Sequence, residues 1–97
     1  MILSFSDPAT EDLYHGRQTA RVRRFPPNII PIALRKLDML SQAHALIDLR
    51  APPGNRLEAL KGVWAGYHSI RINDQWRIVF RWEDHNVSRV AIVDYHL

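Results

Sequence analysis

A chain of 97 residues and 11.3 kDa provides for a single domain spanning 1–97, because so short a sequence cannot divide into two adequate cores. With 46% hydrophobic and 24% charged residues it matches an ordinary globular protein, which argues against a disordered tail. Thirteen Lys plus Arg against ten Asp plus Glu leave a net charge of only +3, too small for a general polyanion binder but compatible with a local basic site.

Eleven of the thirteen cations are arginine, Lys36 and Lys61 being the two lysines. The planar guanidinium fork suits phosphate, so a nucleic-acid reading stands beside plain surface solubility. The sequence contains no cysteine, which excludes disulfide staples, thiolate catalysis and Cys-based zinc sites. No apolar run approaches the roughly 20 residues of a membrane span. Met1-Ile2-Leu3 leads into polar residues rather than a signal core. The expectation is a soluble cytoplasmic protein with no membrane partner.

Ile2 to Phe5 alternates apolar and polar residues and reads as a short first strand. Asp7-Pro8 then supplies an N-cap and a first-turn proline, and Gly16 a stop, for a short first helix. If Gly16 to Phe25 is helical, Arg17, Arg21 and Arg24 share one face, as a binding stripe or a solvated one. Pro26-Pro27 breaks the chain, and Asn28 is the expected cap of a second helix, with Pro31 tolerated in its first turn. From Ile30 to about Ala43, Ile30, Ala33, Leu34, Leu37 and Leu40 keep helical spacing as a core stripe. Arg35, Lys36, Asp38 and Gln42 take the other side. Ala51 to Asn55 is a rigid loop.

Past this loop the period changes to two. Leu57 to Lys61, Tyr67 to Ile72, Trp76 to Trp82 and Val87 to Tyr95 read as strands, with turns at Asn73-Asp74-Gln75 and Glu83 to Asn86. Trp76, Ile78, Phe80 and Trp82 then share one face, leaving Arg77, Val79 and Arg81 on the other. The order β-α-α-β-β-β-β predicts an α+β domain, two helices in the N-terminal half packed on a mainly antiparallel sheet.

Arg77 and Arg81 on one sheet face can hold a phosphate, or simply cover apolar surface with their stems. Asp94-Tyr95-His96 gathers three groups able to donate, accept or exchange protons where local structure needs none of them. Lys61 can project its ammonium over the sheet, and Glu58 pairs structurally with Lys61 or Arg56. The five histidines show no metal-ligand spacing, so neither a metal nor another cofactor is expected. Phosphate-binding glycine loops and nucleophile elbows do not occur.

Three stretches together resemble the HigB toxins of type II toxin–antitoxin systems, in the RelE superfamily, also called plasmid maintenance killer proteins. They are Asn55 to Gly62, Tyr67 to Phe80 with Ile70-Arg71 and Trp76-Arg77-Ile78, and Val93 to His96. Met1-Ile2, Ser4 and Phe5 fit as well, and the resemblance covers nearly the whole chain. It implies a RelE-like fold and a ribosome-dependent, metal-independent endoribonuclease that cuts mRNA in the ribosomal A site and stops translation. Carried over residue by residue, its catalytic groups fall on Lys61, Arg77, Asp94, Tyr95 and His96. Glu58, Arg56, Arg71 and Arg81 are the candidate substrate contacts.

One departure stands out: some family members carry a histidine where this chain has Glu58. Glu58 then either takes over proton transfer or leaves a weaker site. The alternative function is therefore a cleavage-weak, RelE-like protein that binds the ribosome or acts as co-repressor with its antitoxin. The implied partners are a HigA-like helix-turn-helix antitoxin, the ribosome and mRNA, with operator DNA met only through the antitoxin.

Overall fold

A computed structural model describes residues 1–95. It has two α-helices and one four-stranded antiparallel sheet, the α+β architecture expected.

Helix α1 (Pro8–Tyr14) is started by Asp7, whose carboxylate accepts from Ala9 N–H and Thr10 N–H, satisfying two otherwise orphaned donors. Thr10 Oγ1 donates to the same carboxylate (2.6 Å) and accepts from Ile92 N–H (2.9 Å), which ties α1 to the last strand. The arginine-rich segment after α1 is not a helix. Arg17, Thr19 and Arg21 converge instead on the buried carboxylate of Asp12, at 3.2, 2.9 and 3.2 Å. The Thr19 hydrogen bond, with those from Arg17 and Arg21, holds the Asp12 carboxyl below the usual carboxylate range. Two of the three arginines read as a stripe are thus engaged in a local staple, and only a 3₁₀ turn at Val22–Arg24 follows.

Helix α2 (Ile30–Gln42) is entered through a 3₁₀ turn at Pro27–Ile29. Asn28 does not cap it, because Ile29 occupies the cap position and no side chain closes the turn. Ala33, Leu37 and Leu40 are fully buried as expected, but Leu34 is 39% exposed and Lys36 only 8% exposed. Lys36 lies three residues from Ala33 and four from Leu40, squarely on the core stripe. Its ammonium is satisfied there by Asn55 Oδ1 and Arg71 O, both at 2.7 Å. Asn55, fully buried, donates in turn to Leu49 O and Ala51 O. The proline-rich loop is thereby pinned between α2 and the sheet, after a 3₁₀ turn at Leu46–Arg50 that the sequence reading did not anticipate.

The sheet runs in the order β1 (Glu58–Ala59), β2 (His68–Arg71), β3 (Trp76–Glu83) and β4 (Asn86–Asp94). Asn73 Oδ1 closes the β2–β3 turn by accepting from Gln75 N–H and Trp76 N–H. The expected first strand is reduced to two parallel bridges, Ile2 with Val87 and Phe5 with Val90. Between them Arg89 sits at φ 53°, and Ser4 and Ser6 side chains bond its N–H and C=O. A bulged partner strand therefore breaks the ladder that regular pairing would need.

Register places Ile70, Ile78 and Ile92 in one row toward the helices, with Phe80 packed nearby, as the alternation predicted. The opposite face carries two rows, Ser69–Val79–Ala91 and Arg71–Arg77–Val93. It is not simply solvated: Ser69 and Val79 are fully buried and Ala91 nearly so. The connection between β1 and β2 has a 3₁₀ turn at Gly62–Trp64, and Trp64 lines a cavity together with Ala91 and Val93. Among the described residues no helix is long and apolar enough to cross a membrane.

Candidate functional site

Arg77 occupies β3, flanked by β2 and β4, so its backbone is fixed on both sides. Its side chain is only 12% exposed. Nη1 lies 3.5 Å from Glu58 Oε1, and Cζ lies 5.2 Å from the centre of the Tyr95 ring. Nε and Nη1 are buried and lack a hydrogen-bond acceptor among the described residues. A buried guanidinium with unfilled donors is costly, and an anionic oxygen brought beside it would relieve that cost.

Glu58 reaches this position from β1, across β2, where its register partner is Ser69. The Ser69 hydroxyl is buried on the same face and is also without a described partner. Sequence reading passed over Ser69. The signal was available, since period two places Tyr67, Ser69 and Arg71 on the Arg77 face once β2 and β3 pair.

The remaining candidates divide. Tyr95 follows β4, with its N–H donating to Gln75 O and its ring against Arg77. Asp94 pairs in register with Trp76, in the alternate row, and its carboxylate accepts from Gln75 Nε2 at 3.1 Å. Lys61 lies exposed two residues past β1 on the Glu58 edge, where its carbonyl opens the Gly62–Trp64 turn. Arg71 is the register partner of Arg77 and is ion-paired with Asp74. Arg81 stands four residues along β3, 3.5 Å from Glu83 and 5.8 Å from the Tyr67 ring centre. Arg56 is exposed in a left-handed conformation just before β1. His96 lies outside the described residues.

His68 belongs to the other face. It pairs in register with Ala59 and stacks on Phe80, and burial lowers its pKa below the ordinary histidine value. It therefore does not substitute for a histidine on the Arg77 face. The geometry thus gathers a guanidinium, a carboxylate and a phenol around one point on the sheet, with cations at its margins.

A family model described as the RelE-like toxin of the type II toxin–antitoxin system HigB matches residues 3–96. The chain belongs to the HigB-like toxin family. Among relatives of this HigB-like toxin, the protein called Toxin HigB-1 from Vibrio cholerae serotype O1 is 44% identical over 96 residues, covering 99% of this chain and 98% of its own. An uncharacterized protein from Haemophilus influenzae is 37% identical over 69 residues, covering 71% of this chain and 68% of its own. Among solved structures, the YoeB–YefM complex from Staphylococcus aureus matches with a TM-score of 0.60 and 20% identity, covering 100% of this chain and 99% of that one. The YoeB dimer from the same organism gives a TM-score of 0.59 and 24% identity, covering 99% of this chain and 95% of that one. The structural likenesses establish the shared fold, and the family model and the 44% identical relative make the chain a RelE-like toxin of a type II toxin–antitoxin system.

Proposed function

We propose that this HigB-like toxin is an endoribonuclease that cuts mRNA in the ribosomal A site and stops translation, using no metal. The observation that carries the reading is Arg77, buried between Glu58 and Tyr95 with donors that make no hydrogen bond among the described residues. In the reaction the 2′-oxygen of one nucleotide attacks the adjacent phosphorus and the bond from phosphorus to the 5′-oxygen breaks. A 2′,3′-cyclic phosphate and a 5′-hydroxyl result. The 2′-hydroxyl proton goes to a base and an acid protonates the departing oxygen, while positioning and charge stabilisation carry most of the effect.

Arg77 holds the non-bridging phosphate oxygens, and Lys61 adds positive charge from the β1 edge. Glu58 is the group on the Arg77 face fitted to accept the 2′ proton, and Tyr95, Asp94 and His96 supply the remaining proton-transfer candidates. Arg56, Arg71 and Arg81 contact the flanking phosphates. The small net charge is compatible with a ribosome requirement. The partner is a HigA-like helix-turn-helix antitoxin, through which alone operator DNA is met, and the place of action is the cytoplasm. The YoeB–YefM assembly of the same fold supports an antitoxin partner.

One observation favours the second reading, a cleavage-weak ribosome binder or co-repressor. Glu58 already neutralises Arg77 at 3.5 Å, which lowers the pull on a phosphate. Incubating the chain with programmed ribosomes and mapping 5′ ends decides between them. In-frame cuts at the A-site codon are expected; bound ribosomes with intact mRNA would establish the second reading instead.

A further inference from the structure

Beyond Val90 the N-terminal segment turns away from β4 toward Asp7 and α1, and a cavity of about 420 Å³ opens beside Ala91, Ile92 and Val93. Trp64, Trp76 and Phe25 line it, and Arg24 stands among them. Val93 is the register partner of Arg77 and lies two residues before Tyr95, so the cavity reaches β4 at the position paired with Arg77. We infer that this cavity is a base-binding subsite for single-stranded RNA, taking the nucleobase next to the phosphate held at Arg77. The choice of RNA as ligand rests on the nuclease reading above.

Size, shape and charge agree. The volume lies in the range of small-ligand pockets, which are mainly apolar with a few placed polar groups. Phe25 packs edge-on to Trp76 at 5.9 Å, and Trp64 packs edge-on to Tyr67 at 5.1 Å, so each indole is braced by a second ring. Braced aromatic walls stack bases with little ordering cost, and one stacked base is worth about fivefold to a hundredfold in affinity. Arg24 donates through Nε to Arg21 O, and its two terminal nitrogens have no acceptor among the described residues, so they can meet a phosphate. The acidic group of the lining, Asp7, is committed to Ala9 N–H, Thr10 N–H and Thr10 Oγ1. An apolar side chain of a protein partner would fill the space equally but would leave the Arg24 cation unused.

Two of the three tryptophans line the cavity, so intrinsic fluorescence reports on it directly. The full chain is titrated with a fully 2′-O-methylated RNA trinucleotide, which cannot be cleaved, and in parallel with ribose 5-phosphate. Saturable quenching by the trinucleotide alone is expected, with affinity weakened about tenfold by Trp64→Leu and, independently, by the exposed Arg24→Gln. Circular dichroism confirms that both variants fold. Equal quenching in all three proteins overturns the inference. So does an absence of quenching accompanied by a fluorescence change on adding the antitoxin, which assigns the cavity to a protein occupant. Quenching without cleavage on programmed ribosomes would overturn the nuclease reading and leave the subsite standing, whereas cleavage without quenching would do the reverse.

Discussion

Glu58 and Arg77 meet at 3.5 Å across the width of β2, one from the two-residue edge strand and one from the interior strand β3. The carboxylate is about half exposed and the guanidinium nearly covered, so Glu58 is the side from which solvent or substrate enters. If Glu58 accepts the 2′ proton, Glu58→Gln keeps the size and removes the base. The expected loss in kcat on programmed ribosomes is about 10²-fold or more, with KM little changed. A rise in activity would instead show that Glu58 only neutralises Arg77, because removing it would free the guanidinium for phosphate.

Arg77 itself sets function against stability. Its Nε and Nη1 are buried and make no hydrogen bond among the described residues, so the folded chain bears a desolvation cost that ligand binding would recover. Arg77→Met keeps the apolar stem and discards the charge. It is expected to abolish growth arrest and cut cleavage by about 10²- to 10³-fold, while leaving Tm unchanged or raising it. Growth assays at equal expression, with thermal melts of the purified variant, check both halves. Toxicity retained in Arg77→Met would remove the guanidinium from the mechanism.

Legibility in the sequence followed the range of the forces involved. The alternation from Trp76 to Trp82 is local and placed Arg77 correctly on the face opposite Ile78 and Phe80. The Asp7-Pro8 start of α1 was local as well. What failed depended on partners outside the element being read. Arg17 and Arg21 were read as a helical face, but Asp12 draws both into a folded loop. Val79 shares the alternating face with Arg77 and Arg81, yet it is fully buried. Lys36 was sorted by its charge when its helical position was the better guide, because a carbonyl 35 residues away satisfies it. The site shows the same division, since Arg77 and Ser69 are legible from period two, whereas the Glu58 pairing requires the register.

The Lys36–Asn55 bond is the clearest structural target. Asn55→Ala removes one of the two acceptors of a buried ammonium and two donor bonds to Leu49 and Ala51 carbonyls. Losing a partner of a buried charge costs about 3 kcal/mol, which for a domain of this size is a fall in Tm of more than about 10 °C. Lys36→Met removes the charge along with its need for partners and is expected to cost less. Urea melts of the two variants test the order. A smaller loss in Asn55→Ala than in Lys36→Met would mean that the loop is held by other contacts.

His68 supplies a pH dependence that does not involve the Arg77 face. Burial lowers its pKa in the folded chain below the ordinary value of 6.5, so the unfolded chain takes up the proton first as pH falls. Stability is therefore full above pH 6.5 and declines as pH drops from there toward the folded-state pKa. His68→Gln removes the titrating group while keeping a polar side chain against Phe80. Its Tm is expected to be lower than that of the unaltered chain at pH 7.5 but to fall less between pH 6.5 and 5. Thermal melts across that interval read the difference directly. Parallel Tm curves for the two proteins would place the acid sensitivity in another group, and protonation of His68 would then carry no penalty in the fold.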